Sequence, residues 1–305
     1  MCSKGVFTIL KLEQKMPSKK DIEEEISYYK KKFPTLGGLL NLFGSIFELQ
    51  SEYIEKIDVS GFGLSEEEVN ETLKKGSPVL ALKRGEISAT LFKEVLVELI
   101  KIVEDKSPKK MEGLNKVLDI DELKEENINL FIEKFERGDD SFFENLSKEK
   151  GVNKEALLFI VTHALSPFYE AYAKNLRPKI NHHLWGKEFC PICGNRPYIT
   201  RLRKEDGLKL LSCSVCKTEW WTQRIRCAFC GNVDSETLSI FYPEDDKGHQ
   251  VELCDKCKKY SKLSNEKELG RNVILRVEDI ATIHLDAVAK KRGYLPTAQS
   301  PIEMN

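Results

Sequence analysis

The chain has 305 residues, of which 41% are hydrophobic, enough for two domains and a substantial core. Its 48 Lys and Arg nearly balance 49 Asp and Glu, which excludes a strongly basic nucleic-acid surface and a polybasic membrane anchor. No apolar run approaches the roughly 18 residues of a membrane span, and the N-terminal MCSKGVFTILKLEQKMPSKK carries no signal cleavage site, so a cytoplasmic protein without membrane insertion is expected.

Residues 1–17 read as a lead segment and 18–185 as an all-helical domain. Ser18 caps a segment with Ile22, Ile26, Tyr29 and Phe33 at helical spacing, and Pro34 stops it. Leu39 to Ile57 is apolar enough to lie inside a helical core, and Ser65 with Glu68 forms a capping box for a short helix closed by Gly76. Leu91 to Val103 follows, then segments near 120–137, 140–149 and 153–180, with Pro167 expected to kink or divide the last. His163 reads as a satisfied core residue; His182 and His183 read as exposed at a helix end.

After Trp185 and Gly186 the texture changes to short strand-like pieces, RPYITRL, LKLLSC, TLSIFY and QVELC. From Arg271 helical spacing returns through Ile280, Ile283, His284, Ala287 and Val288, before a polar tail from Thr297 expected to be mobile.

Eight of the nine cysteines fall in this second half as four C-x-x-C pairs; Cys2 stands apart and reads as an incidental thiol. In a reducing compartment such pairs point to metal rather than disulfides. The knuckles CPICGN and CAFCGN end in Gly194 and Gly231, whereas CSVCK and CDKCK end in Lys217 and Lys258. This alternation is an internal repeat and favours tandem sites: Cys190, Cys193, Cys213 and Cys216 in a first ribbon over 186–225, and Cys227, Cys230, Cys254 and Cys257 in a second over 226–270. A cross-braced grouping would thread the hairpins through each other.

Four thiolates suit one Zn or Fe ion in each site, and such a set leaves no coordination position for water or substrate. The metals are therefore structural or electron-transferring, and no nucleophile-base pair, phosphate loop or HExxH motif suggests an enzyme. From 186 to 262 there are 14 Lys and Arg against 11 Asp and Glu; eight thiolates around two divalent ions bring the module near −1, a poor match for phosphate.

The stretches WGKEFCPICGNRP, LKLLSCSVCKTEWWTQRIRCAFCGN and VELCDKCKKY resemble the FdhE family of formate dehydrogenase accessory proteins. Trp185, Pro197, the Thr218-Glu219-Trp220 triplet, Arg224, Arg226 and the terminal VEDIATIHLDAVAKKRGY carry the resemblance beyond cysteine spacing; Trp221 and Ala228 depart from it. It implies an α+β chain: a helical N-terminal domain, two rubredoxin-like or zinc-ribbon modules, and a C-terminal helix and tail over 271–305. It also implies a cytoplasmic, chaperone-like protein, not an enzyme, which binds the catalytic subunit of formate dehydrogenase; self-association stays open. Glu219, Trp220, Trp221, Arg224, His284 and Asp286 are the candidate partner-binding residues, although the tryptophans equally suit a cover over a metal knuckle. A ribbon-type nucleic-acid binder and a rubredoxin-like electron carrier are the alternatives.

Overall fold

The structure, a computed structural model, describes residues 12–106, 114–119, 123–124 and 127–298. Cys2 and the tail from residue 299 lie outside the described residues. Ser18 and Ser65 accept from the backbone N–H of Asp21 and Glu68, whose carboxylates accept in return, starting α1 (Lys19–Lys32) and, after α2 (Gly37–Lys56), α3 (Glu66–Lys74). A single turn, α4 (Val79–Leu82), leads to α5 (Ala89–Lys106), α6 (Ile128–Glu136), α7 (Asp140–Lys150) and α8 (Lys154–Leu176). Their apolar faces meet in one core containing Phe43, Phe92, Leu99, Phe131 and Ile160. No helix among the described residues is long and apolar enough to cross a membrane.

Pro167 neither divides nor stops α8, contrary to expectation. A proline removes the N–H that would bond the carbonyl four residues earlier, here that of His163. Gln50 of α2, almost wholly buried, supplies the missing donor: its Nε2 reaches the His163 carbonyl at 3.0 Å. The cost of the proline is thereby absorbed by a neighbouring helix.

The second half forms one sheet. Strands β1 (Pro197–Leu202), β2 (Lys209–Cys213) and β3 (Glu219–Thr222) make one antiparallel meander, and β4 (Leu238–Phe241), β5 (His249–Cys254) and β6 (Lys259–Asn265) make another. Parallel pairing of β1 with β6 fuses them in the order β3-β2-β1-β6-β5-β4. Helices α9 (Glu266–Leu269), α10 (Leu275–Ala281) and α11 (Ile283–Lys291) follow, and β7 (Leu295–Pro296) pairs with the start of β6. The expected single C-terminal helix is thus broken at Thr282, and the expected mobile tail is anchored at its start, where Thr297 donates to the Pro197 carbonyl at 2.7 Å. Val277, Ile280 and Ala281 return α10 to the helical core, while Leu285 and Ala289 of α11 pack on Val251, Leu253 and Tyr260 of the sheet.

Buried charge locks the halves together. Glu278 of α10, fully buried, accepts from Tyr29 Oη of α1 at 2.5 Å and pairs with His249 Nε2 of β5 at 2.7 Å and Arg271 at 3.0 Å. Arg271 also holds Glu25 of α1 at 2.6 Å, and Asp246 holds the other His249 nitrogen at 2.8 Å. Burial opposes a charged His249, but the two carboxylates overcome it and raise its pKa to about 9. Burial pushes Glu25 up to about 7 despite Arg271.

Two measurements check these arrangements. Gln50→Leu should destabilise the protein by about 1–3 kcal/mol in urea unfolding, because it strands the His163 carbonyl. A histidine with a raised folded pKa stabilises fully below its unfolded pKa and loses that contribution as pH climbs through the folded value. Between pH 7 and 9, across which Glu25 completes its ionisation and adds only a few tenths of a kcal/mol to the loss, stability should fall by roughly 2 kcal/mol. His249→Gln should be less stable at pH 7 and should lack that slope.

Candidate metal centres

The eight sulfurs gather as two separate sets, Cys190, Cys193, Cys213 and Cys216, and Cys227, Cys230, Cys254 and Cys257. Within each set all four sulfurs lie within 4.8 Å of one another. In the first, Cys193 Sγ is 3.4 Å from Cys213 Sγ and 3.5 Å from Cys216 Sγ; in the second, Cys227–Cys257 and Cys230–Cys254 are both 3.7 Å. A tetrahedral ion with metal–sulfur bonds of about 2.3 Å places its sulfurs roughly 3.8 Å apart, so the spacing suits a thiolate-bound Zn or Fe. Four sulfurs at these separations close the coordination shell.

The knuckles are built from a repeated turn. Cys190 N–H donates to the Asn195 carbonyl and Cys227 N–H to that of Asn232, both at 2.8 Å. The backbone amides of Ile192, Val215 and Phe229 each approach the preceding knuckle sulfur at 3.4 Å, suiting a negative thiolate. Gly194 and Gly231 have φ of 79° and 71°, and Lys217 and Lys258 both have φ of 55°. All four repeat endings therefore share the left-handed turn. The two glycine turns are crowded: a Cβ on Gly194 would sit 3.0 Å from Pro78 Cγ, and one on Gly231 would press on the Glu188 carboxylate. Lys217 and Lys258 adopt the same left-handed turn at a cost of about 1–2 kcal/mol each.

Burial separates the two sets. Cys190, Cys213 and Cys216 are buried in a core with Trp185, Trp220, Leu176 and Val79. The amides of Val79 and Leu80 bond the carbonyls of Pro191 and Ile192 at 2.9 Å, and Arg177 Nη2 reaches the Cys216 carbonyl at 2.6 Å. Gln14 clasps the outer side, donating to the Lys217 carbonyl and accepting from Glu219 N–H. Burial pushes the Cys190 and Cys213 thiols well above the ordinary range. A divalent cation is the group that converts such a set to thiolates. The second set lies nearer solvent, with Cys230 exposed.

Lys209 of β2, 1% exposed, ties the sets together by pairing with Glu252 of β5 at 2.6 Å and donating to the Arg224 and Arg226 carbonyls. Arg226 in turn holds Glu188 through its Nε at 3.0 Å. None of Gln14, Arg177 or Lys209 was singled out from the sequence: neither spacing nor composition marks a charged residue that will be buried, as Arg177 and Lys209 are, or a glutamine that will bond a distant backbone.

The six candidate partner residues fall into two groups. Trp220 is completely buried over the first set and donates to the Lys187 carbonyl at 3.1 Å, Glu219 pairs with Arg201 at 2.8 Å, and Asp286 accepts from Tyr260 and pairs with buried Lys262 at 2.6 Å. These three face inward. Trp221 is half-buried, and Arg224 and His284 are exposed. His182, expected at the surface, is buried, whereas its neighbour His183 is exposed.

Replacing Cys213 with Ala should halve the metal content from two ions to one and lower the midpoint of thermal unfolding of the whole chain, since that set belongs to the shared core. Cys230→Ala should also lose one ion yet leave the helical unfolding transition nearly unchanged. Elemental analysis and circular dichroism melts check both.

The family model described as FdhE, central domain, matches residues 189–224. The FdhE homolog of Aquifex aeolicus is 29% identical over 274 residues, covering 88% of this chain and 90% of that protein. The FdhE homolog of Shewanella oneidensis is 35% identical over 121 residues, 38% of each chain. In fold, the crystal structure of FdhE from Pseudomonas aeruginosa matches with a TM-score of 0.62 at 21% identity, covering 94% of this chain and 97% of that one. The match to the central-domain model spans the first cysteine set, the Aquifex relative extends the similarity over most of the chain, and the helical-plus-sheet architecture agrees with the Pseudomonas structure: the chain resembles FdhE proteins in sequence and in fold.

Proposed function

We propose that this chain is a cytoplasmic accessory protein that binds the catalytic subunit of formate dehydrogenase and supports its assembly, maturation or activity without itself catalysing a reaction. The observation that carries the reading is the closure of both cysteine sets: four sulfurs surround each centre, so a Zn or Fe ion held there has no position for a substrate. Such an ion cross-links its hairpin, and iron would add one-electron exchange of the rubredoxin kind. The resemblance to FdhE proteins supports formate dehydrogenase as the partner. Glu278 interlocks helix and sheet, Arg276 ties α10 to α8 and Lys209 ties β2 to β5, which supports a rigid, chaperone-like body. Of the candidate partner residues, Arg224 and His284 are exposed and Trp221 is half-buried.

The charge balance speaks against nucleic acid as the partner. Tagged wild-type protein should co-purify the catalytic subunit from cells, and a strain lacking this chain should lose formate dehydrogenase activity. Arg224→Glu with Trp221→Ala should weaken capture at least about tenfold while retaining two metal ions. Full dehydrogenase activity in the deletion strain, with no subunit captured by wild type, overturns the proposal. Visible absorption of the purified protein distinguishes coloured ferric thiolate from colourless zinc.

A further inference from the structure

The two cysteine sets meet through their glycine-ended knuckles. Arg196 follows the first of these, and its carbonyl accepts from Ser214 N–H, next to Cys213, at 3.1 Å, so its backbone is part of the first set. Its side chain reaches the second. Nη1 donates to the Phe229 carbonyl at 3.2 Å, and the guanidinium lies 4.7 Å from the centre of the Phe229 ring, between Cys227 and Cys230 in sequence. The Phe229 amide in turn approaches Cys227 Sγ at 3.4 Å. An ion pair crosses in the other direction: Arg226, beside Cys227, holds Glu188, two residues before Cys190, through Nε at 3.0 Å. Ala228 of the same knuckle is buried in the apolar core around the first set, with Ile192, Trp185 and Trp220.

Each of these contacts needs two ordered knuckles. At a four-thiolate site the free energy of binding is also that of ordering the turn, so a knuckle without its ion loses its fixed geometry. Emptying the second set releases Arg226, Ala228 and Phe229; emptying the first releases Glu188 and Arg196. A contact present only when both ions are bound stabilises the doubly loaded chain alone, and the resulting coupling is equal in both directions. Charge works against it, since four thiolates around a divalent ion leave about −2 at each centre. The seam answers with cations. Arg196 donates to the carbonyls of Glu188 and Phe229 and keeps its charge beside both knuckles, while Lys259 stands 5.2 Å from the centre of the Phe229 ring.

We propose that the two cysteine sets bind their ions cooperatively, filling of either set tightening the other about tenfold, with Arg196 and the Glu188–Arg226 pair as the positioning residues that carry the coupling. Scarce metal is thereby gathered into fully loaded chains, whereas ample metal still fills the surviving set of a single-cysteine variant. The proposal rests on both sets holding an ion and on no property of the formate dehydrogenase subunit.

Zinc is the probe. The zinc-loaded full chain, kept reduced, is equilibrated with increasing chromophoric chelator, and native mass spectrometry counts chains with zero, one and two ions. Removing the second set with Cys230→Ala and Cys257→Ala should weaken zinc at the first about tenfold. In Arg196→Met with Glu188→Gln, which keeps both sets of sulfurs, the same removal should weaken it about threefold or less. Arg196→Met alone alters an exposed side chain. With half the zinc withdrawn, it should hold more one-ion chains than the wild type, at the expense of empty and full ones. Equal affinity at the first set with and without the second, an undiminished tenfold loss in the Arg196→Met, Glu188→Gln background, or the wild-type distribution in Arg196→Met overturns the proposal. Fewer than two ions on the loaded wild type overturns the metal assignment itself, and the proposal with it.

Discussion

Closure of four sulfurs around a point organises the second half of this chain. A tetrahedral thiolate set fixes two knuckles relative to each other, so each hairpin acquires a rigid tip that its side chains alone would not give. The separate apolar core on the sheet is small, built chiefly from Val251, Leu253, Tyr260, Leu285 and Ala289. Each knuckle then dictates its turn chemistry: a left-handed residue at four equivalent places, glycine at the two turns where Pro78 or Glu188 presses in and lysine at the other two.

The two sets have become different in use of burial. The first is part of the wall between sheet and helices, with Trp185 and Trp220 against it and the amides of Val79 and Leu80 on its carbonyls. The second stands at the far side of the sheet with a sulfur open to water. Loss of an ion from the first removes a shared wall; loss from the second loosens one end. The parallel pairing of β1 with β6 transmits position between them, since it makes two hairpins one sheet.

Much of this was legible in the sequence where one physical pattern dominates. Capping serines at Ser18 and Ser65, the apolar period of α2 and α5 and the four C-x-x-C pairs read directly, because helical spacing and ligand spacing are local. What was hidden depends on long-range partners. Strand β6, central to the sheet, carries Ser261, Lys262 and Ser264, all buried, so it lacks the apolar alternation that marks a strand. Lys262 is admissible there only because Asp279 and Asp286, distant in sequence, surround it. For the same reason Glu219 and Asp286 read as surface groups yet lie inside. Pro167 read as a kink or a division of its helix because the donor that replaces its N–H comes from Gln50, more than a hundred residues away.

These buried charges explain why the protein keeps polar groups where apolar ones would pack. Apolar contacts between α10, α1 and the sheet would tolerate sliding, whereas Glu278 is satisfied only when Tyr29, His249 and Arg271 arrive together from three segments. Lys209 imposes the same condition between the hairpins, since its donors must meet Glu252 and two carbonyls of the connecting loop. Polar networks of this kind select one relative orientation of helices and sheet. Four sulfurs closed around each centre leave no position for a substrate, and fixing that orientation is how this sequence holds a single shape around them.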